Sequence, residues 1–205
     1  MKPGGWEGFL ATWRPGELRG YAASDLEGTL VPPALRGYYE LAGRLPTWNL
    51  HLVAPEALTV ESGRIRFVVE EQGVYSFATL PGGDDPPVWL VDEDRSVQLD
   101  EPLSGFLHQY ALFEAQGMAG GTGGWGYVRR QDVPQFLSVI PRLSLASWPH
   151  PSGTLSFHVG AGLIGLVFDT GEGEVEVHAT AQSRDDLTPL SGLVAWDEDP
   201  LADSS

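Results

Sequence analysis

The sequence contains no cysteine, which excludes disulfides, thiolate catalysis and cysteine-ligated metal sites. It also has few basic residues, because 12 Lys and Arg stand against 28 Asp and Glu, for a formal net charge of -16. Such a chain repels phosphate backbones and anionic lipid surfaces, so we expect neither nucleic acid nor a membrane as its partner. A basic protein would instead be attracted, although acidity of this kind also serves simply to keep a protein soluble.

Long apolar runs are missing as well. No stretch approaches the roughly 20 apolar residues of a membrane helix, and the N-terminus lacks an apolar run of signal-peptide length. We therefore expect a cytoplasmic protein. Hydrophobic residues still make up 42% of the 205 residues, which is enough for a buried core. The composition favours one large domain, or one domain with a substantial extension.

Helical periodicity marks three segments of the first half. Residues 6–13 carry four apolar side chains at helical spacing: Trp6, Phe9, Leu10 and Trp13. A second helix is predicted from Pro33 to Ala42, because proline suits a first helical turn and Gly43 is a suitable stop. A third is predicted from about Pro102 to Gln116.

Strand periodicity lies between the second and third of these helices. Alternating apolar residues around a Gln72-Gly73 turn predict a β-hairpin from about Arg64 to Leu80. A loop rich in Gly, Asp and Pro follows at 81–87 and leads into a short strand, Val88 to Val91. Helices and strands that are segregated in this way indicate an α+β domain over residues 1–116.

The second half is different in composition. Residues 117–126 include six glycines, which predicts a loop or flexible linker. Residues 127–205 are predicted to form a β-rich C-terminal extension, with strands near 154–159, 163–168 and 175–179 and a final helix from about Asp185 to Val194. We expect this extension to pack on the first part, because so short a segment has a marginal core of its own.

The first half resembles the SUKH superfamily, the SMI1/KNR4-like proteins. The segment VPPALRGYYELAGR (31–44) matches the helix signature of that family at Pro33, Leu35, Tyr38, Tyr39 and Gly43. The stretch EEQGVYSFA (70–78) is similar to the family's hairpin, and SGFLHQYALFEA (104–115) to the closing helix of actinobacterial-looking members. The resemblance covers residues 6–116, and it departs from the pattern at Ala42-Gly43, where the family usually has Asn-Gly.

The resemblance implies both a fold and a function. The implied fold is an α+β domain with a mostly antiparallel central sheet flanked by helices. Bacterial members are commonly immunity proteins, which neutralise toxins by covering them, whereas fungal relatives act as scaffolds. We therefore expect a non-enzymatic binding protein, with an immunity-type inhibitor as the first hypothesis and a scaffold with several weak partners as the second.

Catalytic signatures are weak. GAGLIG (160–165) fits G-x-G-x-x-G, but a strand follows it where a dinucleotide site needs a helix. His158, His178 and Asp169 could in principle form a two-histidine, one-carboxylate metal site, yet no typical ligand spacing supports it. We predict no catalytic residue, metal or cofactor. A deep cavity with perturbed carboxylates or histidines in 127–205 would favour an enzyme or small-ligand binder instead.

Acidic loops beside aromatic residues are the predicted contact surface for a basic protein partner. A toxin domain is one candidate for that partner. Charge would speed the encounter and aromatic side chains would anchor the complex. The alternative is an ordinary solvated surface. The predicted partner-binding residues are Tyr75, Phe77, Asp84, Asp85, Trp89, Asp92, Glu93 and Asp94.

Overall fold

The computed structural model of the protein describes residues 5–14, 16–118, 122–150, 153–171, 173–197 and 200. The chain divides into two compact units, Met1–Gly117 and Met118–Ser205, called here the N-terminal and C-terminal units. Each contains one antiparallel sheet, and five α-helices lie in the described part of the chain. The α+β class and the β-rich C-terminal segment are thus confirmed. The packing of residues 127–205 on the first part stays a prediction.

The helices of the N-terminal unit follow the predicted periodicity. They are α1 (Trp6–Trp13), α2 (Pro33–Ala42) and α3 (Leu103–Met118). Helix α2 begins directly after Pro32, and it ends where the Gly43 N–H donates to the Tyr39 carbonyl at 3.1 Å. A Cβ at Gly43 would lie 2.8 Å from the Tyr39 Cα, so glycine suits this stop for steric reasons. A short 3-10 helix covers Ala23–Leu26.

The sheet of the N-terminal unit, sheet A, is built mostly from sequential hairpins. Its strands are β1 (Leu50–Leu52), β2 (Val60–Glu61), β3 (Arg64–Glu70), β4 (Tyr75–Thr79), β5 (Pro87–Asp92) and β6 (Ser96–Pro102). The order is β1-β3-β4-β5-β6, with β2 also paired to β3. The predicted hairpin and the strand after it are confirmed, whereas β1, β2 and β6 were not predicted because they are short or largely polar.

Aromatic side chains form the core between α3 and sheet A. The Phe106 ring lies 4.6 Å from the Phe77 ring and 5.4 Å from the Phe67 ring, measured between centroids. One turn along α3, the Tyr110 hydroxyl donates to the Leu50 carbonyl at 2.9 Å. These contacts fix α3 against one face of the sheet, so β4 side chains alternate between this core and the opposite face.

The sheet of the C-terminal unit, sheet B, has the order β12-β7-β11-β10-β9-β8. Its strands are β7 (Thr122–Arg129), β8 (Trp148–His150), β9 (Gly153–Gly160), β10 (Leu163–Asp169), β11 (Glu174–Ala181) and β12 (Ala195–Trp196). Helices α4 (Val133–Val139) and α5 (Arg184–Leu187) belong to the same unit. Phe136 of α4 and Leu187 of α5 share a core cluster with Val167, Val177 and Ala179 of the sheet.

The glycine-rich segment corrects the linker prediction. Residues 122–126 lie in β7, while 119–121 fall outside the described residues. Strand β7 is paired on both sides, with β11 along its length and with β12 near Gly126. A Cβ on Gly126 would lie 2.4 Å from the Ala195 carbonyl oxygen, so the missing side chain is what allows this close pairing. The linker prediction relied on the backbone entropy that glycines lose on ordering. Hydrogen bonds to β11 and β12 offset that loss.

The predicted final helix is shorter than expected. Helix α5 ends at Leu187 and a 3-10 turn continues over Thr188–Leu190, after which Gly192 adopts a positive φ of 76°. Pro189 lies at the start of that turn and cannot supply a helical N–H donor, which accounts for the early end. In the acidic tail, 198–199 and 201–205 fall outside the described residues. Among the helices that the structure describes, none is both long and apolar enough to cross a membrane.

Candidate functional site

The predicted aromatic contacts lie on opposite faces of sheet A. Phe77 pairs with Leu90 on the core face, and Trp89 pairs with Ala78 on the other face. Phe77 is only 1% exposed and packs against α3, so it belongs to the core and not to a contact surface. This corrects its place in the predicted set. The physical reason is the two-residue period of a strand, which sends neighbouring side chains to opposite faces.

Trp89 is partly exposed, but a cation already covers it. The Arg64 guanidinium carbon lies 4.1 Å from the centre of a Trp89 ring. The Arg64 Nη1 also donates to the Ser96 Oγ at 2.7 Å, which holds the side chain across the face. Because the ring face that would receive a partner's cation is occupied by Arg64, Trp89 is a weaker anchor for a basic protein than the sequence suggested.

The predicted acidic residues lie at two ends of the sheet. Asp84 and Asp85 are in the loop before β5, Asp92 is the last residue of β5, and Glu93 and Asp94 are in the turn after it. Strand β5 spans six residues, which separates its two ends by roughly 17 Å at the usual rise per residue. The predicted acidic residues therefore form two separate groups of carboxylates, one at each end of β5.

Two of these carboxylates have structural roles. Asp85 accepts hydrogen bonds from the Ser104 N–H and the Ser104 Oγ, both at 2.7 Å, at the start of α3. Asp92 accepts from the N–H groups of Asp94 and Arg95, at 3.0 and 2.8 Å, and so closes the β5–β6 turn. The side-chain hydrogen bond from Arg95 holds the pKa of Asp92 below its ordinary value. Both residues stabilise local structure whether or not a partner is bound.

The β3–β4 turn brings further acidic residues to the same end as Asp92. Tyr75 and Asp92 are paired across β4 and β5, so the turns on either side are neighbours. We define the acidic end as residues 70–75 together with 92–94. The exposed side chains there include Glu71, Glu93, Asp94 and Val74, and Val74 is 60% exposed. The acidic end therefore combines exposed carboxylates with exposed apolar surface.

Glu70 and Tyr75 give the acidic end a defined shape. Glu70 is buried and its Oε2 accepts from the N–H groups of Gln72 and Val74, at 3.0 and 3.2 Å. Tyr75 is half-buried, with its ring 5.8 Å from the Phe77 ring. Burial, together with the negative charge of Glu70, raises the pKa of Tyr75 to about 12. Its hydroxyl is therefore protonated at neutral pH and keeps a donor for a hydrogen bond.

Glu71 and Val74 were missing from the predicted set. The available signal was the hairpin itself, because alternate turns of successive antiparallel hairpins lie at the same edge of a sheet. The predicted turn at Gln72-Gly73 and the acids at 92–94 are separated by two strands, β4 and β5. That strand order was sufficient to place Glu71 at the same edge of sheet A as Glu93 and Asp94.

A second polar cluster lies inside the N-terminal unit. Glu114 of α3 is 7% exposed and accepts from the Trp48 N–H and, at 2.8 Å, from the Leu50 N–H. Burial raises the pKa of Glu114 above its ordinary value. The adjacent cavity has a volume of about 20 Å³, room for about one water molecule. We assign Glu114 a structural role, in which it satisfies the backbone where the chain enters β1.

The histidines of the second half do not come together as a metal site, and the GAGLIG segment does not lead into a helix as a dinucleotide site requires. His158 pairs with Gly165 and His178 with Leu166, so the two side chains are on opposite faces of sheet B. In GAGLIG, residues 161–162 form a two-residue turn between β9 and β10, which confirms the strand interpretation. No group of three or more His, Cys, Asp or Glu suited to a metal ion occurs among the described residues.

Comparisons with known proteins supply no relative. No family model, curated protein or solved structure matches this chain. The resemblance to the SUKH superfamily therefore stays a prediction based on the motifs at 31–44, 70–78 and 104–115.

Proposed function

We propose that this protein is a non-enzymatic binding protein that holds a basic protein partner at the acidic end of sheet A. The observation that carries the proposal is the Tyr75–Asp92 pairing, which brings two turns to the same edge of sheet A. The exposed residues of these turns are Glu71, Val74, Glu93 and Asp94. Carboxylates supply attraction and specificity, while apolar and aromatic surface supplies affinity once it is desolvated.

Electrostatics at the acidic end favour a cationic occupant. Three exposed carboxylates in adjacent turns repel one another, and the rest of the chain adds to that repulsion because its net charge is -16. Lys or Arg side chains of a partner relieve this repulsion as they approach. The association rate should therefore be high at low salt and fall as salt screens the charges.

The narrower form of the proposal is an immunity-type inhibitor that covers a bacterial toxin in the cytoplasm. It rests on the resemblance of residues 6–116 to the SUKH superfamily, whose bacterial members are commonly immunity proteins. The second form is a regulatory or scaffold protein with several weak partners. The two differ in stoichiometry and affinity, because an inhibitor needs one tight partner.

Affinity capture of the tagged full chain from its native lysate, eluted in a salt gradient, tests the proposal. The informative variant is E71Q/E93Q/D94N, which removes three charges from the acidic end. The matched control is E27Q/E40Q/E56Q, which removes the same charge from exposed positions outside it. The captured proteins are identified by mass spectrometry and compared across the three baits.

One stoichiometric basic protein, retained by the wild type and the control but lost from the acidic-end variant, would support the inhibitor. Several substoichiometric proteins with that same dependence would support the scaffold. An empty eluate from the wild type, or capture that the acidic-end variant leaves unchanged, would contradict binding at this surface.

A further inference from the structure

A cavity of the C-terminal unit lies beside α4 on one face of sheet B. Its volume is about 740 Å³, within the range of about 300–1,000 Å³ that is common for small-molecule sites. Strand β9 lines it with Thr154, Ser156 and His158, and β10 with Val167 and Asp169. The segment after α4 contributes Arg142. Proteins of this size carry few cavities of such volume, and its lining is mixed in polarity.

The charged groups of this cavity are two guanidiniums and one carboxylate. The Arg130 Nη2 lies 2.7 Å from the Asp169 Oδ1, so these two charges are paired. Arg142 donates from Nη2 to the Ser147 Oγ at 2.6 Å, and no carboxylate of the described residues lies within ion-pair distance of it. The described lining therefore has a formal charge of +1, and Arg142 carries the charge that is left over.

His158 adds no charge to this total. It is 2% exposed; its Nδ1 lies 3.2 Å from the Ile140 carbonyl oxygen and its Nε2 2.9 Å from the Ser156 Oγ. A carbonyl only accepts, so Nδ1 carries the proton and Nε2 accepts from the serine hydroxyl. Burial, with a smaller effect of the Arg142 charge, lowers the pKa of His158 to about 4. The imidazole is therefore neutral at neutral pH.

The remaining walls are apolar. Val133 and Leu137 of α4 line one side, and Val167 and Val175 of sheet B line the other. All four belong to the core of the unit or pack against it, so this surface is held in place by the fold. A ligand that fits would place an apolar body against these side chains, where burial of apolar surface contributes most of the affinity.

We propose that this cavity binds a small organic carboxylate with an apolar body, whose carboxylate pairs with Arg142. An arginine suits this role because its planar guanidinium donates two parallel hydrogen bonds to a carboxylate. A singly charged anion balances the described lining, whereas a phosphate dianion would leave a net negative charge inside an already acidic protein. This site does not depend on the proposed protein partner.

Titration of the full chain with four phenyl compounds tests the proposal without any variant. Benzoate, benzamide, benzamidinium and phenyl phosphate share a phenyl ring and differ in charge. Binding is followed by amide chemical shifts in two-dimensional NMR, up to about 10 mM ligand, where millimolar affinity is measurable. The expected result is saturable shifts with benzoate at Thr154, Thr170 and Val175, weaker binding of benzamide and phenyl phosphate, and no binding of benzamidinium.

Two matched arginine variants then test whether Arg142 is the residue that pairs with the carboxylate of the ligand. Arg142→Gln should weaken benzoate binding at least about tenfold, because a hydrogen-bonded ion pair is lost. Arg129→Gln is the control, since Arg129 is exposed, pairs with Asp132 and does not line the cavity. The amide spectrum of each variant also shows whether the C-terminal unit stays folded.

Benzoate binding that is lost in R142Q and kept in R129Q would establish the site. Absence of saturable shifts with benzoate, or benzamidinium or phenyl phosphate binding at least as tightly as benzoate, would overturn the proposal. So would equal benzoate affinity in the two variants. If R142Q does not fold, the four-probe comparison on the wild type decides the matter alone.

Discussion

The acidic end of sheet A and the cavity of the C-terminal unit differ in both shape and charge, although both belong to a chain with a formal net charge of -16. The first is a projecting pair of turns with three exposed carboxylates, and the second is a recess whose described lining has a formal charge of +1. The difference shows that the local charge of a surface depends on which turns and loops the fold brings together there, and not on the net charge of the chain. Acidic residues gather where two turns share an edge, and few basic residues suffice to make one recess cationic.

The same contrast holds for the buried ionisable groups. The N-terminal unit buries Glu114 and satisfies it with backbone N–H groups, whereas the C-terminal unit buries His158 as a neutral imidazole. Burial opposes the charged form in both cases, so it raises the pKa of Glu114 and lowers that of His158. Acidification should therefore affect the two units differently.

Removal of Glu114 should have the largest effect on stability. Glu114→Ala leaves the N–H groups of Trp48 and Leu50 without their acceptor and opens a void beside α3. We expect a loss of about 3 kcal/mol from the free energy of unfolding, measured by urea titration. Glu40→Ala, on the exposed side of α2, is the control and should change it by less than about 0.5 kcal/mol. Equal stability of the two variants would contradict the structural role of Glu114.

Crowding of β7 should have the next largest effect, on the C-terminal unit. Gly126→Ala places a Cβ 2.4 Å from the Ala195 carbonyl oxygen, so β12 must move or detach. We expect about 2 to 3 kcal/mol of destabilisation, seen as faster amide exchange of residues 122–129. Gly173→Ala is the control, because a Cβ there has open space and Gly173 lacks a positive φ. Unchanged exchange in G126A would show that β7 is not held between β11 and β12.

The pH dependence of stability should separate the units. His158 has a folded pKa of about 4 against an ordinary value of 6.5. The unfolded state therefore binds a proton first as the pH falls. The contribution of neutral His158 to the free energy of unfolding is therefore complete above about pH 6.5 and is lost as the pH falls towards 4. We expect that loss to be about 2 kcal/mol between pH 7 and pH 5.

Hydrogen exchange resolved by unit measures this effect. His158→Gln should remove the selective weakening of the C-terminal unit at pH 5, while the same substitution at exposed His51 should leave it in place. Glu114 acts in the opposite sense, because a raised pKa favours its protonated form in the folded N-terminal unit at low pH. Parallel weakening of both units on acidification, unaffected by H158Q, would contradict this distinction.

A smaller effect should distinguish two adjacent aspartates. Asp85→Ala removes the acceptor for the Ser104 N–H at the start of α3, and we expect a loss of about 1 kcal/mol, typical of a helix cap. Asp84→Ala, at the neighbouring exposed position, should change stability by less than about 0.5 kcal/mol. Thermal unfolding of the two variants is the measurement, and identical shifts would remove the structural role assigned to Asp85.

The elements that the sequence predicts are those with a complete local signal. Helix α2 has proline at its start, an apolar stripe and glycine at its end, and it covers the predicted residues. Helix α4 and strand β1 have short patterns and gain stability from contacts made elsewhere, so no window of the sequence identifies them. The glycines of β7 misled the prediction because backbone entropy is local, whereas the two pairing strands come from far along the chain.

The candidate site was predictable in part for the same reason. Glu93 and Asp94 lie in the turn between β5 and β6, as expected from their composition, and Asp92 ends β5 just before it. The sequence alone does not show which face of β4 packs against α3, so Phe77 could not be assigned to the core. Assigning Glu71 to the candidate site required the order of the strands in sheet A. The cavity beside Arg142 depends on five separate segments of the C-terminal unit, and periodicity carries no information about such a meeting.

The most direct test of binding at the acidic end is the association rate of the captured partner, measured against salt concentration for three forms of the protein. E71Q/E93Q/D94N should associate about tenfold more slowly than the wild type at low salt and with a flatter salt dependence, because its steering charges are gone. E27Q/E40Q/E56Q should stay within about twofold of the wild type, although its net charge is the same as that of the first variant. Equal slowing of both variants would mean that only total charge matters, and equal rates for all three would contradict the proposed surface.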